Sequence, residues 1–529
     1  MSLIENHTNR DWTAAAVVFV LAAACVSPAD NARILAVETA SCKSHWNFMS
    51  AVLRALTDGG HSVTAFTPLP DGDRENYTEV DTSDVLSIIG GVDIMRLKLV
   101  VNDQRTVVAQ TLKLMRNNCH CTYNDRRLSG LLADGLDGHF DAVVIEPGLP
   151  VCVTYATAGT GLPVIYTEPM AMPFLADRRK VGDVPNPAAV SSILTRHAVP
   201  ATFAQRFFNA LLSLYAELSI AVLDAAAYVI DPKPYDAYVP VPPSIVFTNG
   251  HYVSDAARPI SPNVVNVGGI HLRPPRRLPE DILEFIENSP HGVILFTFGS
   301  IVSISSMPNN TRAVFLEVLA QLPQRTLLKY EGEMLIDKPD NVMIRKWLPQ
   351  RDILVHPNVK LFVSHGGISG VYEAVDAGVP VLGFPVFSDQ YRNIDNLVKA
   401  GMAISMELLS VSKDTFFTNV VELINNEKYK KNAEIALSIF KDRPMSPQQS
   451  VVYWTEYVIR HKGAPHLKSH ALNLSWYQYF LLDVIAVVLI LISIVSYVIY
   501  RVFKLLYQYS FKRYFSVIKE NRSHRLKND

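Results

Sequence analysis

Cysteine is scarce in this chain, with five residues in 529. Cys25 falls in an apolar N-terminal stretch, leaving Cys42, Cys119, Cys121 and Cys152. Four thiols allow one or two disulfides in an oxidising compartment but exclude a disulfide-built scaffold. Cys119-His120-Cys121 has the ligand types of a zinc site, yet no second pair stands at zinc spacing, so no metal is expected. An excess of one charge is lacking too. The chain carries 49 basic and 50 acidic side chains, a formal net charge of −1. No overall basic field exists to hold phosphates, so nucleic acid is not an expected partner. No internal repeat at solenoid periods is present. What is plentiful is apolar surface. At 49 % hydrophobic residues the chain is not disordered, and its length suits two or three domains with sizeable cores.

Both ends carry apolar runs. Thr13 to Val26 is too short and Ala-rich for a stable span, and Ser27-Pro28-Ala29 supplies small residues for cleavage. Residues 1–29 are therefore expected to be a secretory signal peptide, although Arg10 stands between Glu5 and Asp11. The run Phe480 to Tyr500 is long enough to cross roughly 30 Å of hydrocarbon. A transmembrane helix is expected over 476–500, with Trp476, Tyr477 and Tyr479 as an interfacial belt and Asp483 close enough to the end to reach headgroups. The tail, 501–529, holds Arg501, Lys504, Lys512, Arg513, Lys519, Arg522, Arg525 and Lys527 against Glu520 and Asp529. That asymmetry puts the tail in the cytosol and the body across the membrane, a type I topology. Arg525 and Lys527 match a degenerate dibasic endoplasmic-reticulum retrieval signal, a weak match within a basic tail. Asn76 and Asn309 sit in N-x-T sequons and are expected glycan acceptors; Asn473 is too near the membrane and Asn521 is cytosolic.

Between the ends the pattern is α/β. "RILAVET" from Arg33, the amphipathic "HWNFMSAVLRALTDGG" and "HSVTAFTP" form a parallel βαβ unit, which "FDAVVIEP" and "LPVIYTEP" extend as buried strands. Phe207 to Ile230 is apolar but interrupted by Asn209, Glu217 and Asp224, which predicts a buried or membrane-leaning helix, since two carboxylates do not sit deep in lipid. The stretch Pro259 to Pro290, rich in Pro, Gly and Arg, reads as a linker. A second α/β run follows, through "GVILFTFGS", "RTLLKY", "NVMIRKW", "VKLFVS" and "VPVLGFP".

The turn "VSHGGISGVYEA" joins one of these strands to a helix. Glycines at 366 and 367 let the backbone approach a ligand, and the free amides at the helix start favour an anion. Ser369 and Glu373, four residues apart, share one helix face. "FGS" (Phe298 to Ser300), "WLPQ" (Trp347 to Gln350) and Asp389-Gln390 also follow strand ends, where ligands of parallel sheets bind.

The run from Trp347 to Gln390 resembles the signature of the UDP-glycosyltransferases, in particular the membrane-bound animal enzymes of arthropod-like type. The resemblance covers nearly the whole chain, most strongly Gly292 to Met402. It implies two facing Rossmann-like domains of glycosyltransferase B type plus a C-terminal transmembrane helix. The N-terminal acceptor-binding domain would span 30–268, a linker 269–290, the UDP-sugar domain 291–445 and a helical return with a juxtamembrane segment 446–475. It further implies that Trp347 stacks on uracil, Gln350 bonds the base or ribose, and Glu373 holds ribose hydroxyls. Ser300, His365 and the turn containing Gly367, Ser369 and Gly370 would hold the pyrophosphate, and Asp389 and Gln390 the sugar hydroxyls. Many animal members carry Asn where this chain has Ser369.

The same resemblance places the family's catalytic histidine at His45 in "KSHWNF". The family's second catalytic residue, an Asp, aligns with Glu146, one methylene longer, and Asp141 is the fallback. His61, which opens a strand, reads as structural. The implied chemistry is inverting displacement of UDP by an acceptor hydroxyl, with no metal and no cofactor beyond the UDP-sugar co-substrate. Asp71-Gly72-Asp73 has the look of a D-x-D metal motif but lies in a Pro-rich turn and reads as a loop. The expected acceptor is a small lipophilic molecule, from the apolar Phe203 to Ile230 stretch, and the expected sugar is glucose. Membrane lipid is an expected partner, a homo-oligomer stays open, and the expected site is the endoplasmic-reticulum membrane with the catalytic domains in the lumen. The rival reading is an inactive glycan or lipid binder of the same fold. An epimerase is disfavoured because it has no need of a signal or a span.

Overall fold

The computed structural model describes residues 31–97, 104–136, 138–147, 157, 159–170, 181–182, 184–192, 194–238 and 241–528. The expected signal peptide, Cys25 and Cys152 lie outside the described residues. The chain divides into two compact units, Met1–Ser469 and His470–Asp529.

The first unit holds two parallel sheets. In chain order the first comprises β1 (Arg33–Val37), α1 (Lys43–Asp58), β2 (Ser62–Thr67), β3 (Tyr77–Asp81), α2 (Gln104–Asn124), α3 (Arg126–Ala133), β4 (Ala142–Ile145), β5 (Val164–Glu168), α4 (Phe203–Ile230), β6 (Ile245–Thr248) and β7 (Val264–Asn266). Its strands run in the order β3-β2-β1-β4-β5-β6-β7. Strands such as "AVVI" and "IVFT" are buried at every position, as expected where helices cover both faces. Each face has its own core: Ile34, Ala36 and Val144 pack with Phe48, Val52 and Leu56 of α1, and Leu35, Val37 and Val143 with Leu128 and Tyr235.

The second sheet is built from α5 (Glu280–Glu287), β8 (Val293–Thr297), α6 (Asn309–Gln321), β9 (Arg325–Lys329), β10 (Val342–Arg345), α7 (Gln350–Leu354), β11 (Val359–Ser364), α8 (Ile368–Ala377), β12 (Val381–Gly383), α9 (Gln390–Lys399), β13 (Ala403–Ser405), α10 (Lys413–Asn425) and α11 (Glu427–Lys441). Its order is β10-β9-β8-β11-β12-β13, again parallel. Strand order reverses between β1 and β4 and between β8 and β11, so each sheet has its crevice at that point. Helix α12 (Pro447–Arg460) returns to the first domain, where Val451 and Val458 join the core around α1.

Two expectations change here. Within 269–290 only the middle, Arg273 to Arg277, behaves as a linker, since Ile270 is buried in the first domain's core. Arg273 to Arg277 is exposed, but Leu278, Ile282, Phe285 and Ile286 of the α5 region are buried in the second domain's core. The Pro and Arg content concealed an amphipathic turn pattern. Second, of the two alternatives expected for α4, buried or membrane-leaning, its exposure removes the buried one. Among its residues only Asn209 is buried, holding Pro187 O and Val190 O through Nδ2 and accepting Ser192 N–H. Phe203, Phe207, Leu211, Leu214, Leu218 and Val222 are all exposed.

The second unit contains α13 (Trp476–Tyr479) and α14 (Leu482–Asn528). A break at Leu481, φ 55°, separates the aromatic turn from the long helix. That helix is long and apolar enough to cross a membrane, with mean hydropathy 2.8 over an 18-residue stretch. It continues without interruption through the basic tail, so no secondary-structure boundary marks residue 500.

Candidate functional site

A cleft of about 460 Å³ lies between the two domains. From the first domain, Lys43, His45, Asn47, Asp71 and Met170 line it; Arg273 does so from the linker. Ser300, Trp347, Gln350, His365, Gly367, Ser369, Gly370, Glu373, Asp389 and Gln390 line it from the second. Every residue assigned to the donor by resemblance is thus in one cavity with His45.

His45 lies in the first turn of α1, whose backbone begins with His45 and Trp46 N–H donating to Cys42 O. Glu146 is the first residue beyond β4. Its Oε1 is 2.5 Å from His45 Nδ1, and the carboxylate is 6 % exposed. The longer side chain therefore reaches the ring. Its backbone is fixed by Thr39, whose hydroxyl donates to Glu146 O at 3.0 Å. Burial pulls the His45 pKa down, but the charge and hydrogen bond of Glu146 outweigh it, with help from Asp389 and Glu168, and the net direction is up. Asp141, the fallback, stands at the other end of β4, roughly 16 Å along the chain. It accepts Arg33 N–H at 2.7 Å and plays no part in the cleft. His61 is buried, accepts Ala32 N–H at 3.2 Å, and is the structural residue expected.

On the opposite wall His365 directly follows the strand β11. A Cβ on Gly299 would lie 2.6 Å from His365 Cε1, and one on Gly367 2.6 Å from its Nε2. The imidazole is held between two glycines. Burial, then the Lys329 ammonium, lowers its pKa to about 4, so the ring is neutral. Gly367 caps α8, whose first amides face the cleft, and Gly378 ends that helix in the left-handed region at φ 60°. The sequence reading of this turn and stop matches the structure.

Gln350 opens α7 and donates Nε2–H to Glu373 Oε2 at 2.6 Å. Burial raises the Glu373 pKa to about 7, against the lowering effects of Gln350 and Arg351. Trp347 is 58 % exposed, so it is not a core residue, and Lys43 Nζ lies 4.1 Å from its ring centroid. Asp389 precedes α9, accepts from Asn393 Nδ2 at 2.7 Å, and has a pKa raised by burial. Gln390 uses its Oε1 to accept Val386 and Phe387 N–H at 2.8 and 3.1 Å. Its carbonyl therefore pins the loop, and Nε2 alone is left for a ligand.

These observations agree with what the chain resembles elsewhere. The family model "UDP-glucoronosyl and UDP-glucosyl transferase" matches residues 91–517. The chain belongs to this family. It is 36 % identical over 485 residues to UDP-glucosyltransferase 2 of Dactylopius coccus, covering 90 % of this chain and 93 % of that one. It is 31 % identical over 503 residues to UDP-glucuronosyltransferase 2B17 of Rattus norvegicus, covering 89 % and 92 %. Among solved structures, the glycotransferase of kitacinnamycin covers 82 % of this chain and 98 % of its own at TM-score 0.52 and 17 % identity. The glycosyltransferase VinC in complex with dTDP covers 81 % and 100 % at TM-score 0.52 and 15 % identity. The fold is that of the glycosyltransferase B enzymes, and the chain is a UDP-sugar glycosyltransferase.

Sequence reasoning missed several residues of this site. Lys43 is two positions from His45 but carries no pattern of its own. Arg273 was masked by the linker's basic character, and Glu38 and Glu168 looked like ordinary strand ends. Asp71-Gly72-Asp73 is a loop, as expected. Glu79 Oε2 accepts Asp71 and Gly72 N–H at 2.6 and 2.7 Å, and Asp73 Oδ1 accepts Glu79 N–H at 2.7 Å. Its place on the cleft rim was not expected. Cys119 is disulfide-bonded and Cys121 is a free thiol, so Cys119 is no metal ligand. The α4 residues that prompted a lipophilic acceptor do not line the cleft.

Proposed function

We propose that this enzyme moves a hexose, glucose in the first instance, from its UDP-sugar to a hydroxyl of a small lipophilic acceptor, with inversion. The observation that carries the reading is the His45–Glu146 pair at 2.5 Å, with His45 lining the same cleft as the donor residues. With Nδ1–H directed to Glu146, His45 Nε2 keeps a lone pair for the acceptor proton. The acceptor oxygen then bonds to the sugar's anomeric carbon as the bond to the UDP oxygen breaks. Glu146 stabilises the imidazolium, and the amides starting α8 stabilise the leaving diphosphate. His45 and Glu146 are the proposed catalytic residues. Trp347, Gln350 and Glu373 would hold uridine, Ser300, His365, Gly367, Ser369 and Gly370 the pyrophosphate, and Asp389 and Gln390 the sugar. No metal or further cofactor is needed in this scheme.

Glucose is supported by the likeness to the Dactylopius coccus UDP-glucosyltransferase. A lipophilic acceptor is supported by Pro169, Met170 and Phe387 on the cleft wall. The proposed location is the endoplasmic-reticulum membrane, with a cleaved signal peptide, a luminal body and glycans on Asn76 and Asn309, both exposed. Membrane lipid is the proposed partner of α4. Its exposed apolar stripe recurs every three or four residues from Phe203 to Val222, while Arg206, Glu217 and Asp224 lie off that stripe, the pattern of a helix lying in an interface. The purified protein with UDP-glucose, UDP-glucuronate and a panel of phenolic and lipid alcohols tests the reaction. Acceptor-dependent UDP release with UDP-glucose is expected. No transfer to any acceptor would leave the non-catalytic binder.

A further inference from the structure

Strands β1 and β4 pair in parallel, with Val37 beside Ile145. The next residues are Glu38 and Glu146. Two carboxyls therefore leave neighbouring strands at one level and on one face, roughly 4.8 Å apart at the backbone. Glu38 is 1 % exposed and Glu146 6 %. Glu38 Oε1 accepts Ala40 N–H at 3.0 Å, and Glu146 Oε1 faces His45. The Oε2 atoms of both are buried and receive no N–H or O–H donor among the described residues. The two side chains are nonetheless within hydrogen-bonding reach of each other.

Ionised carboxylates only accept hydrogen bonds, and two of them in contact repel. One proton between the Oε2 atoms turns two unsatisfied acceptors into a donor and an acceptor. We propose that Glu38 carries this proton and donates it to Glu146, so that the carboxylate facing His45 is half of a proton-sharing pair. Glu38 is the better holder, because Glu146 already faces the cationisable ring of His45. Among the described residues, the other titratable groups acting on the pair or on His45 are the Cys42 thiol, pushed up to about 12 by burial and the two carboxyls, then Glu168 and Asp389. None supplies a fixed positive charge. Burial first, then the charge and hydrogen bond of Glu146, raise the Glu38 pKa well above the usual carboxyl range.

The inference rests on His45 and Glu146 as base and partner, and makes Glu38 a positioning residue. Its proton fixes the Glu146 carboxylate with Oε1 toward the ring. It also draws charge from that carboxylate, so that Glu146 steadies the imidazolium without taking its proton. The Glu38 proton stays in place through turnover.

Infrared spectroscopy of the full-length protein in detergent tests this directly. A carboxylic-acid carbonyl band should persist at pH 9, where Glu373, with its pKa of about 7, is ionised, and the band should vanish in Glu38→Gln. Absence of the band in the wild type at neutral pH, or its survival in Glu38→Gln, overturns the proposal. In kinetics, Glu38→Leu should lower kcat about 10- to 100-fold, the worth of a hydrogen bond to a charged group, with KM for the UDP-sugar unchanged. Glu38→Gln still offers an N–H and should recover most of that loss. A downward shift of the ascending limb of the pH profile in Glu38→Gln would mean that an ionised Glu38 had been removed, and sinks the proposal. Full turnover in His45→Ala would defeat the catalytic reading while leaving the infrared band intact, so the two failures are distinguishable.

Discussion

Gln350 and Glu373 meet at 2.6 Å, tying the first turn of α7 to the middle of α8. The bond leaves Glu373 with a pKa of about 7, raised by burial, in a cleft where ribose hydroxyls would donate to its ionised form. UDP affinity should therefore rise with pH between 6 and 8, approaching tenfold per unit on the acid side. The UDP phosphate titrates in the same range, so the decisive quantity is the difference between wild type and Glu373→Gln by calorimetry. A shallower slope in the variant is expected; equal slopes would remove Glu373 from the nucleotide site. Glu373→Ala should cost about 1.5–3 kcal/mol of UDP binding.

Gly367 has an ordinary backbone, φ −62°, so its importance is steric. A Cβ there would lie 2.6 Å from His365 Nε2. Gly367→Ala should push the imidazole aside and weaken UDP binding, and the overpacking should also cost about 1–3 kcal/mol of folding stability. Unchanged UDP affinity would show that the position of His365 is irrelevant to the diphosphate.

The turn at His365 and the stop at Gly378 were legible because backbone geometry demands glycine there, whatever the tertiary context. The apolar strands were legible because helices cover both faces and force continuous hydrophobic runs. The His45–Glu146 pairing was legible only through the family resemblance, and the reach of the longer side chain was not legible at all. Which carboxylate at a strand end meets a given helix is set by the β1–β4 register, and that follows from how the sheet pairs. Glu38 was invisible for the same reason. The linker was misjudged at Leu278 because local Pro and Arg content says nothing of the core that Phe285 fills. On α4, the apolar pattern was plain but its partner was not, since burial and lipid exposure write the same composition.

Metal ions should be dispensable. The proposed leaving-group stabilisers are α8 amides and a neutral His365, and the D-x-D-like loop spends Asp73 on Glu79 N–H. Turnover is expected to survive EDTA at full rate. Abolition, with rescue by a divalent cation, would return Asp71 on the cleft rim to the candidate ligands.

Stopping the chain before Trp476 should release the body from integral attachment, so that alkaline carbonate extracts it, while UDP binding persists. At neutral pH the truncated body should still sediment with phospholipid vesicles through α4. Replacing Phe207 and Leu214, 49 % and 53 % exposed, with serine should abolish that sedimentation. Equal sedimentation of the serine variant would deny α4 a lipid role. With intact microsomes, added protease should clip the tail alone, and a digested body would reverse the topology.

His45→Ala should cut turnover about 10²–10⁴-fold, the usual worth of a positioned base, with UDP affinity nearly constant because the ring faces the acceptor. In the wild type the ascending limb of kcat/KM should lie above the ordinary histidine pKa of about 6.5, since the charge and hydrogen bond of Glu146 outweigh burial. Glu146→Gln removes that charge, so the limb should move to lower pH while the maximal rate falls for want of imidazolium stabilisation. Glu146→Asp withdraws the carboxylate by one carbon–carbon bond, about 1.5 Å. From 2.5 Å that breaks the contact unless the backbone shifts, so the aspartate variant should be impaired despite keeping the charge. Wild-type activity in Glu146→Asp would mean that charge near His45 suffices and the direct hydrogen bond does not matter. Wild-type activity in His45→Ala would end the catalytic assignment altogether.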